Sequence, residues 1–409
     1  MGFRKSRQQG PASGLVSFED AEAYLEAGRL DEILPALEHT LAYYTRHLGS
    51  HDPDTVTYRV YLAGAYQEVG RLDEAIELFE SALEDTARQL GPSHPNTLAC
   101  RTNLANVYLD VGDLDHAIEM QERALADVRQ LLGPGHPDTL MIQSNLAAAY
   151  MEAEDFDQAL RLNQETLAQR ARVLGRRHPD TLTSANNLAS TYQAVDRLDE
   201  AIRLFEETLK DTAKALGADH PDVLMTRNNL ASAYQDANRL EEAASMLRTA
   251  LDDSRRILGP DHPDSLVITH NLAGIYKDQG DLERAIALHE QNLRDRERVL
   301  STDHPDIMSS QNNLAEAYQE DGRLDDAIAL FKTAIGAVER AEGPGHPSAL
   351  VYRNNLATAY ADCGQLDEAI TLLRDALSTA LEALGADHSV TELISGNLEA
   401  AVAESAGAP

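Results

Sequence analysis

Apolar and polar positions along this chain follow a helical period, and the pattern restarts every 42 residues. In the segment RNNLASAYQDANRLEEA, Arg227 to Ala243, the apolar pair Leu230 and Ala231 falls on one side of a helix. Asn229, Ser232 and Asp236 share another side, because positions three and seven residues apart lie close together on a helix surface. The pattern predicts a first helix opened by Pro221, whose missing N–H has no partner in a first turn anyway. It predicts a turn near Asn238 and Arg239, then a second helix from about Leu240 to Leu258. Small residues, Ala243 and Ala250, allow that second helix close packing. The segment LGPDHP, Leu258 to Pro263, stops it and starts the next unit.

The unit repeats without insertion or deletion. Tyr24, Tyr66, Tyr108, Tyr150, Tyr192, Tyr234, Tyr276, Tyr318 and Tyr360 keep one spacing, and the next slot holds Val402. His94, His136, His178, His220, His262, His304, His346 and His388 keep the same clock. So do Asn103, Asn145, Asn187, Asn229, Asn271, Asn313, Asn355 and Asn397. Each unit reads as a helical hairpin that cannot bury its apolar face alone, so stacked hairpins must share a core. The expected fold is an all-α solenoid of antiparallel helix pairs over residues 17–402, about nine repeats plus a capping helix around Ser395 to Val402. A basic disordered tail is expected at 1–16 and a second disordered tail at 403–409. The first unit, near Phe18 to Gly49, is atypical and is followed by SHDP at Ser50 to Pro53, as a capping repeat would be.

Composition narrows the function. Hydrophobic residues make up 43% of the 409 and the formal net charge is −33, so the chain can bury a core but offers phosphate few cations. Nucleic acid is therefore not an expected partner, and basic or neutral partners are. The two cysteines, Cys100 and Cys363, are too few for a disulfide framework, which points to a reducing, cytoplasmic setting. No run approaches a membrane-spanning length. MGFRKS at the start matches a loose myristoylation pattern through Gly2 and Ser6, with Arg4, Lys5 and Arg7 nearby, but the pattern is weak, so a short basic, disordered tail is expected and a membrane partner is not.

Catalytic signatures are missing. Each His-Pro pair sits alone on a loop, without a partner at ligand spacing, so a capping or packed histidine is expected rather than a metal ligand. The GPGHP turns at Gly133 and Gly343 lack the lysine of a phosphate loop. No nucleophile elbow, CxxC or HExxH occurs, so neither an enzyme nor a cofactor is expected.

The motif NLAxxYxxxGxLDEA resembles the tetratricopeptide repeat. Leu104, Ala105, Tyr108, Gly112 and Ala117 occupy that family's positions. The long period, NNLA and LGPxHPDT are most similar to repeats of the kinesin light chain type, which has bacterial members, and the resemblance covers about residues 18–402. It implies a right-handed superhelix whose concave face, lined by the first helix of each pair, binds peptides through asparagines. Where that family places a tryptophan, this chain has Arg59, Arg101, Arg227 and Arg353, or Gln143 and Gln311. Arg101 lies seven residues before Tyr108, so an arginine stacked on the tyrosine is expected.

The asparagines demand an explanation, since eight in helix interiors cost roughly 4–6 kcal/mol in propensity. Each amide carries a donor and an acceptor and could pair with the backbone of an extended ligand. The candidate peptide-binding positions are Asn103, Asn145, Asn186, Asn187, Asn228, Asn229, Asn271, Asn312, Asn313, Asn354 and Asn355. An acidic slot follows them at Glu68, Asp110, Glu152, Asp236, Asp278, Glu320 and Asp362, suited to selecting lysine, arginine or a free amine. The structural alternative is an asparagine ladder that joins neighbouring helices. The expected function is a protein-interaction scaffold that binds an extended basic or neutral segment. The competing expectation is a regulatory module that self-associates or docks onto a separate signalling NTPase, kinase or transcription factor.

Overall fold

A computed structural model describes residues 15–21, 30–301 and 304–407. Tyr24 and the N-terminal MGFRKS segment lie outside these residues. The described elements are helices throughout. They form two compact units, residues 1–204 and 205–409, and each is built in the same way.

In the first unit, α1 (Leu30–Leu48) precedes α2 (Pro53–Glu68), α3 (Leu72–Leu90), α4 (Pro95–Val111), α5 (Leu114–Leu132), α6 (Pro137–Glu152), α7 (Phe156–Val173) and α8 (Pro179–Ala194). The boundary falls within α9 (Leu198–Leu216). The second unit continues with α10 (Pro221–Asp236), α11 (Leu240–Ile257), α12 (Pro263–Asp278), α13 (Leu282–Val299), α14 (Pro305–Glu320), α15 (Leu324–Ala341), α16 (Pro347–Asp362), α17 (Leu366–Ala383) and α18 (Ser389–Gly407). From α1 to α8, and again from α10 to α18, each helix packs against the next, and the chain is an all-α solenoid of stacked antiparallel pairs. The helices that begin at a proline are called the first helices of their pairs.

The periodic histidines start those helices. Nδ1 of His94, His136, His262 and His346 accepts the backbone N–H two residues on at 3.2 Å, satisfying a donor that the first turn leaves open. Asp52 does the same job in SHDP, over 3.0 Å to the Asp54 N–H. First helices end on a residue with positive φ. This is Gly at 70, 112, 280, 322 and 364, but Glu154, Asp196 and Asn238 at the same slot of three other pairs.

The core is made of matched small and large residues. Ala75, Ala117, Ala159, Ala243, Ala285, Ala327 and Ala369 of the second helices are fully buried and let neighbouring backbones approach. Phe79, Leu247, Phe331 and Leu373 fill one second-helix slot, each burial being worth roughly 1.5–3 kcal/mol. Both cysteines are free thiols. Cys100 packs with Val56 and Ala82, and burial pushes its thiol up to about 11.

Two expectations shift. The terminal helix begins at Ser389 and runs on to Gly407, past the expected end at 402, because Ala403 to Ala406 contain no helix breaker. Arg101 does not stack on Tyr108. It donates to Asp127 at 2.8 Å, since a carboxylate within reach on the second helix of its own pair binds a guanidinium more strongly than a ring face does. Arg59 with Asp85 and Arg227 with Asp253 repeat that pairing at the same separation.

Candidate peptide-binding site

The doubled asparagines divide a task. In the second unit, Asn271 Nδ2 donates to Asn228 Oδ1 at 2.7 Å, Asn355 to Asn312 at 3.1 Å and Asn397 to Asn354 at 2.8 Å. In the first unit, Asn187 reaches Ser144 Oγ at 3.4 Å. The first asparagine of a doublet therefore accepts, and the next pair's asparagine, 43 residues on, donates. Asn186, Asn312 and Asn354 are buried, one helical step towards the core from the half-buried Asn187, Asn313 and Asn355. Where the accepting slot holds Val60, Thr102 or His270, no such bond forms with Asn103, Asn145 or Asn313, and these three amides stay half-buried on the stripe. Asn229 is half-buried as well.

About two turns further along the first helices, a second ladder runs beside the first. Gln67 donates to Asp110 at 2.6 Å, Gln235 to Asp278 at 2.5 Å and Gln319 to Asp362 at 2.6 Å. These donors are neutral amides, so they orient the carboxylates without cancelling their charge. Glu68, Asp110, Glu152, Asp236, Asp278, Glu320 and Asp362 are all exposed. Glu316, Gln319, Glu320 and Asp362 line a depression of about 260 Å³. Lys277 enters this acidic stripe from the preceding pair, with Nζ at 3.5 Å from Glu316 and 3.4 Å from Glu320. Burial works against its charge, yet the two carboxylates hold its pKa above the ordinary lysine value.

Sequence reasoning missed a third ladder, on the seam between one pair's second helix and the next pair's first. The tyrosine hydroxyls of Tyr66, Tyr150, Tyr234 and Tyr318 donate to Glu38, Glu122, Glu206 and Glu290 over 2.7–2.9 Å, and Tyr108 to Glu80 over 3.1 Å. Burial, then the glutamate bond, pushes Tyr150 and Tyr234 up to about 12. Arg71, Arg239 and Arg323, from the turn that follows, cover the rings of Tyr66, Tyr234 and Tyr318 at 3.9–4.4 Å, and Arg197 covers that of Tyr192 at 4.5 Å. The signal was present in the sequence: a glutamate stands 28 residues before each of those five tyrosines.

A tetratricopeptide repeat profile matches overlapping segments of the chain from 21–84 and 56–130 through to 264–340 and 306–382. The chain belongs to the tetratricopeptide repeat family. No curated protein matches it in sequence. Among solved structures, this tetratricopeptide repeat protein is similar to a Podosopora anserina protein described by kinesin light chain nearly identical TPR-like repeats. The two are 32% identical over 51% of this chain and 98% of that one, with a TM-score of 0.47. It shares the fold of the apo quorum sensor NprR from B. thuringiensis (15% identity, 88% and 99% covered, TM-score 0.56). It also shares the fold of a Rap protein solved in complex with Competence and Sporulation Factor (10% identity, 95% and 97% covered, TM-score 0.51). Among the described residues, no group of three or more His, Cys, Asp or Glu side chains could hold a metal ion. No described helix is long and apolar enough to cross a membrane.

Proposed function

We propose that this tetratricopeptide repeat protein is an interaction scaffold whose first-helix stripe binds an extended, basic or neutral segment of a partner protein. The observation that carries the reading is Lys277, an internal lysine seated between Glu316 and Glu320. It illustrates the group the stripe accepts: an ammonium flanked by two carboxylates, of which Glu316 is held by the amides of Asn312 and Asn355. Asp110, Asp278 and Asp362 would take lysine or arginine side chains in the same way. Asn103, Asn145 and Asn313, outside the ladder, would pair with the ligand backbone.

For Asn228, Asn271, Asn312, Asn354 and Asn355 the reading is structural, because their amides already serve one another. The factor bound by the Rap protein belongs to that protein; the reading for this chain rests on its own acidic stripe.

Fluorescence anisotropy with a labelled peptide of alternating lysine and alanine tests the proposal. Binding should weaken with salt and fall severalfold in the triple variant Asp110→Asn, Asp278→Asn, Asp362→Asn. Binding indifferent to both changes would sink it. Concentration-dependent assembly in sedimentation runs without peptide would favour a self-associating module instead.

A further inference from the structure

The tyrosine–glutamate ladder has a gap. At the slot where Glu206 and Glu290 serve Tyr234 and Tyr318, the residue opposite Tyr276 is Arg248. Arg248 makes no hydrogen bond or ion pair among the described residues and is exposed. Beside it opens a cavity of about 380 Å³, lined by Arg248, Tyr276, Gln279, Arg284, Asp281 and Glu241. Tyr360, whose partner slot holds Lys332, shows another outcome: the lysine ammonium lies over the ring, 5.4 Å from its centroid.

We propose that the cavity between Arg248 and Tyr276 is a second docking point, which takes an aspartate or glutamate side chain from an acidic segment of a partner protein. The chain's other repeats specify the missing group. Wherever a carboxylate stands opposite the tyrosine, the hydroxyl donates to it, and here Tyr276 instead lines a cavity of about 380 Å³. Arg248 adds a charged donor that the glutamate-bearing repeats lack, and an arginine fork matches a carboxylate in shape and charge.

The charge balance permits it. Asp281 is already engaged by Arg284, with Oδ2 accepting from Nε at 2.6 Å, and Arg284 covers the Tyr276 ring at 4.4 Å. A guest carboxylate would leave Arg248 and Arg284 facing it, Asp281 and Glu241. The Tyr318 repeat already tolerates a more acidic set, in which Arg323 stands with Glu283, Glu290 and Asp326. The site lies on the seam between α11 and α12, off the acidic stripe, so it is independent of the peptide-binding reading above.

The test is anisotropy of a fluorophore-labelled hexaglutamate peptide with the full chain at low salt. Saturable binding is expected. Arg248→Glu, which restores the residue type of the other repeats and should leave the thermal midpoint unchanged or higher, should weaken binding about tenfold or more, as loss of a charge-assisted hydrogen bond does. Lys210→Glu makes the same change in net charge at an exposed site on another helix and should leave affinity within about twofold, as a distant screened charge does. Equal weakening by both variants, or no saturable binding to the unaltered chain, overturns the proposal.

Discussion

The Asn271 side-chain amide donates to the Asn228 oxygen across 2.7 Å, and the two residues stand 43 apart in the sequence. Two helix-disfavouring residues are thus placed where each satisfies the other. Asn228→Ala and Asn271→Ala should each destabilise the second unit. In a double-mutant cycle by urea denaturation the coupling should be about 1 kcal/mol, the net worth of one such bond. Additive effects would mean the ladder is spatial coincidence.

Acid should act on the second unit through a buried histidine pair. His270 on α12 and His289 on α13 have ring centroids 5.7 Å apart. Lys277, Arg296, Asp306 and Glu316 surround them. Burial, then His270 and the two cations, lowers His289 from the ordinary 6.5 to about 4, and burial lowers His270 too. The unfolded chain therefore binds more protons between those values. Stability is lost as pH falls through the window, by about 3 kcal/mol at pH 4 from His289. Leu247 and Leu373 fill the same slot in other pairs, so His289→Leu should flatten the dependence measured by urea melts from pH 7 to 4.

Glu154 ends α6 at a φ of 56°, a conformation that L side chains adopt at a cost. Five other pairs place glycine at this slot. Glu154→Gly should raise stability by about 1 kcal/mol, read as a higher thermal midpoint. A lower midpoint would show that the side chain earns its place.

Arg59 and Asp85 form a buried ion pair at 2.8 Å, with His51 Nδ1 on the second carboxylate oxygen at 2.7 Å. Asp85→Ala leaves the guanidinium buried with only Ser50 and Ser81 as partners. The expected loss is about 3 kcal/mol in the first unit, measured by denaturant melts monitored by circular dichroism. A loss under half that would mean water reaches Arg59.

The fold was legible because its signals are periodic. Pro221, the histidine caps and the Leu258–Pro263 breaker place helix ends to within a residue or so, and the described pairs from Pro53 to Ala383 follow the same spacing. The stripe was legible as a face, but not as a set of partners. Helix geometry puts Asn271 and Asp278 on one side of α12. It does not say that the amide is taken by Asn228 or the carboxylate by Gln235, because that depends on the offset between stacked pairs. Arg101 went astray for the same reason, since Asp127 competes from a helix the local pattern does not include.

The one-position offset of the ladder also constrains how such a chain can change in length. Each bond joins a residue to another one repeat and one step away. Duplicating or deleting a whole 42-residue unit inside a run of doubled asparagines restores every donor to an acceptor. Any other insertion within a helix pair shifts donors off their acceptors along with the core alanines. The array can therefore be expected to grow and shrink by unequal exchange in whole units, and its binding surface to be lengthened by the same step.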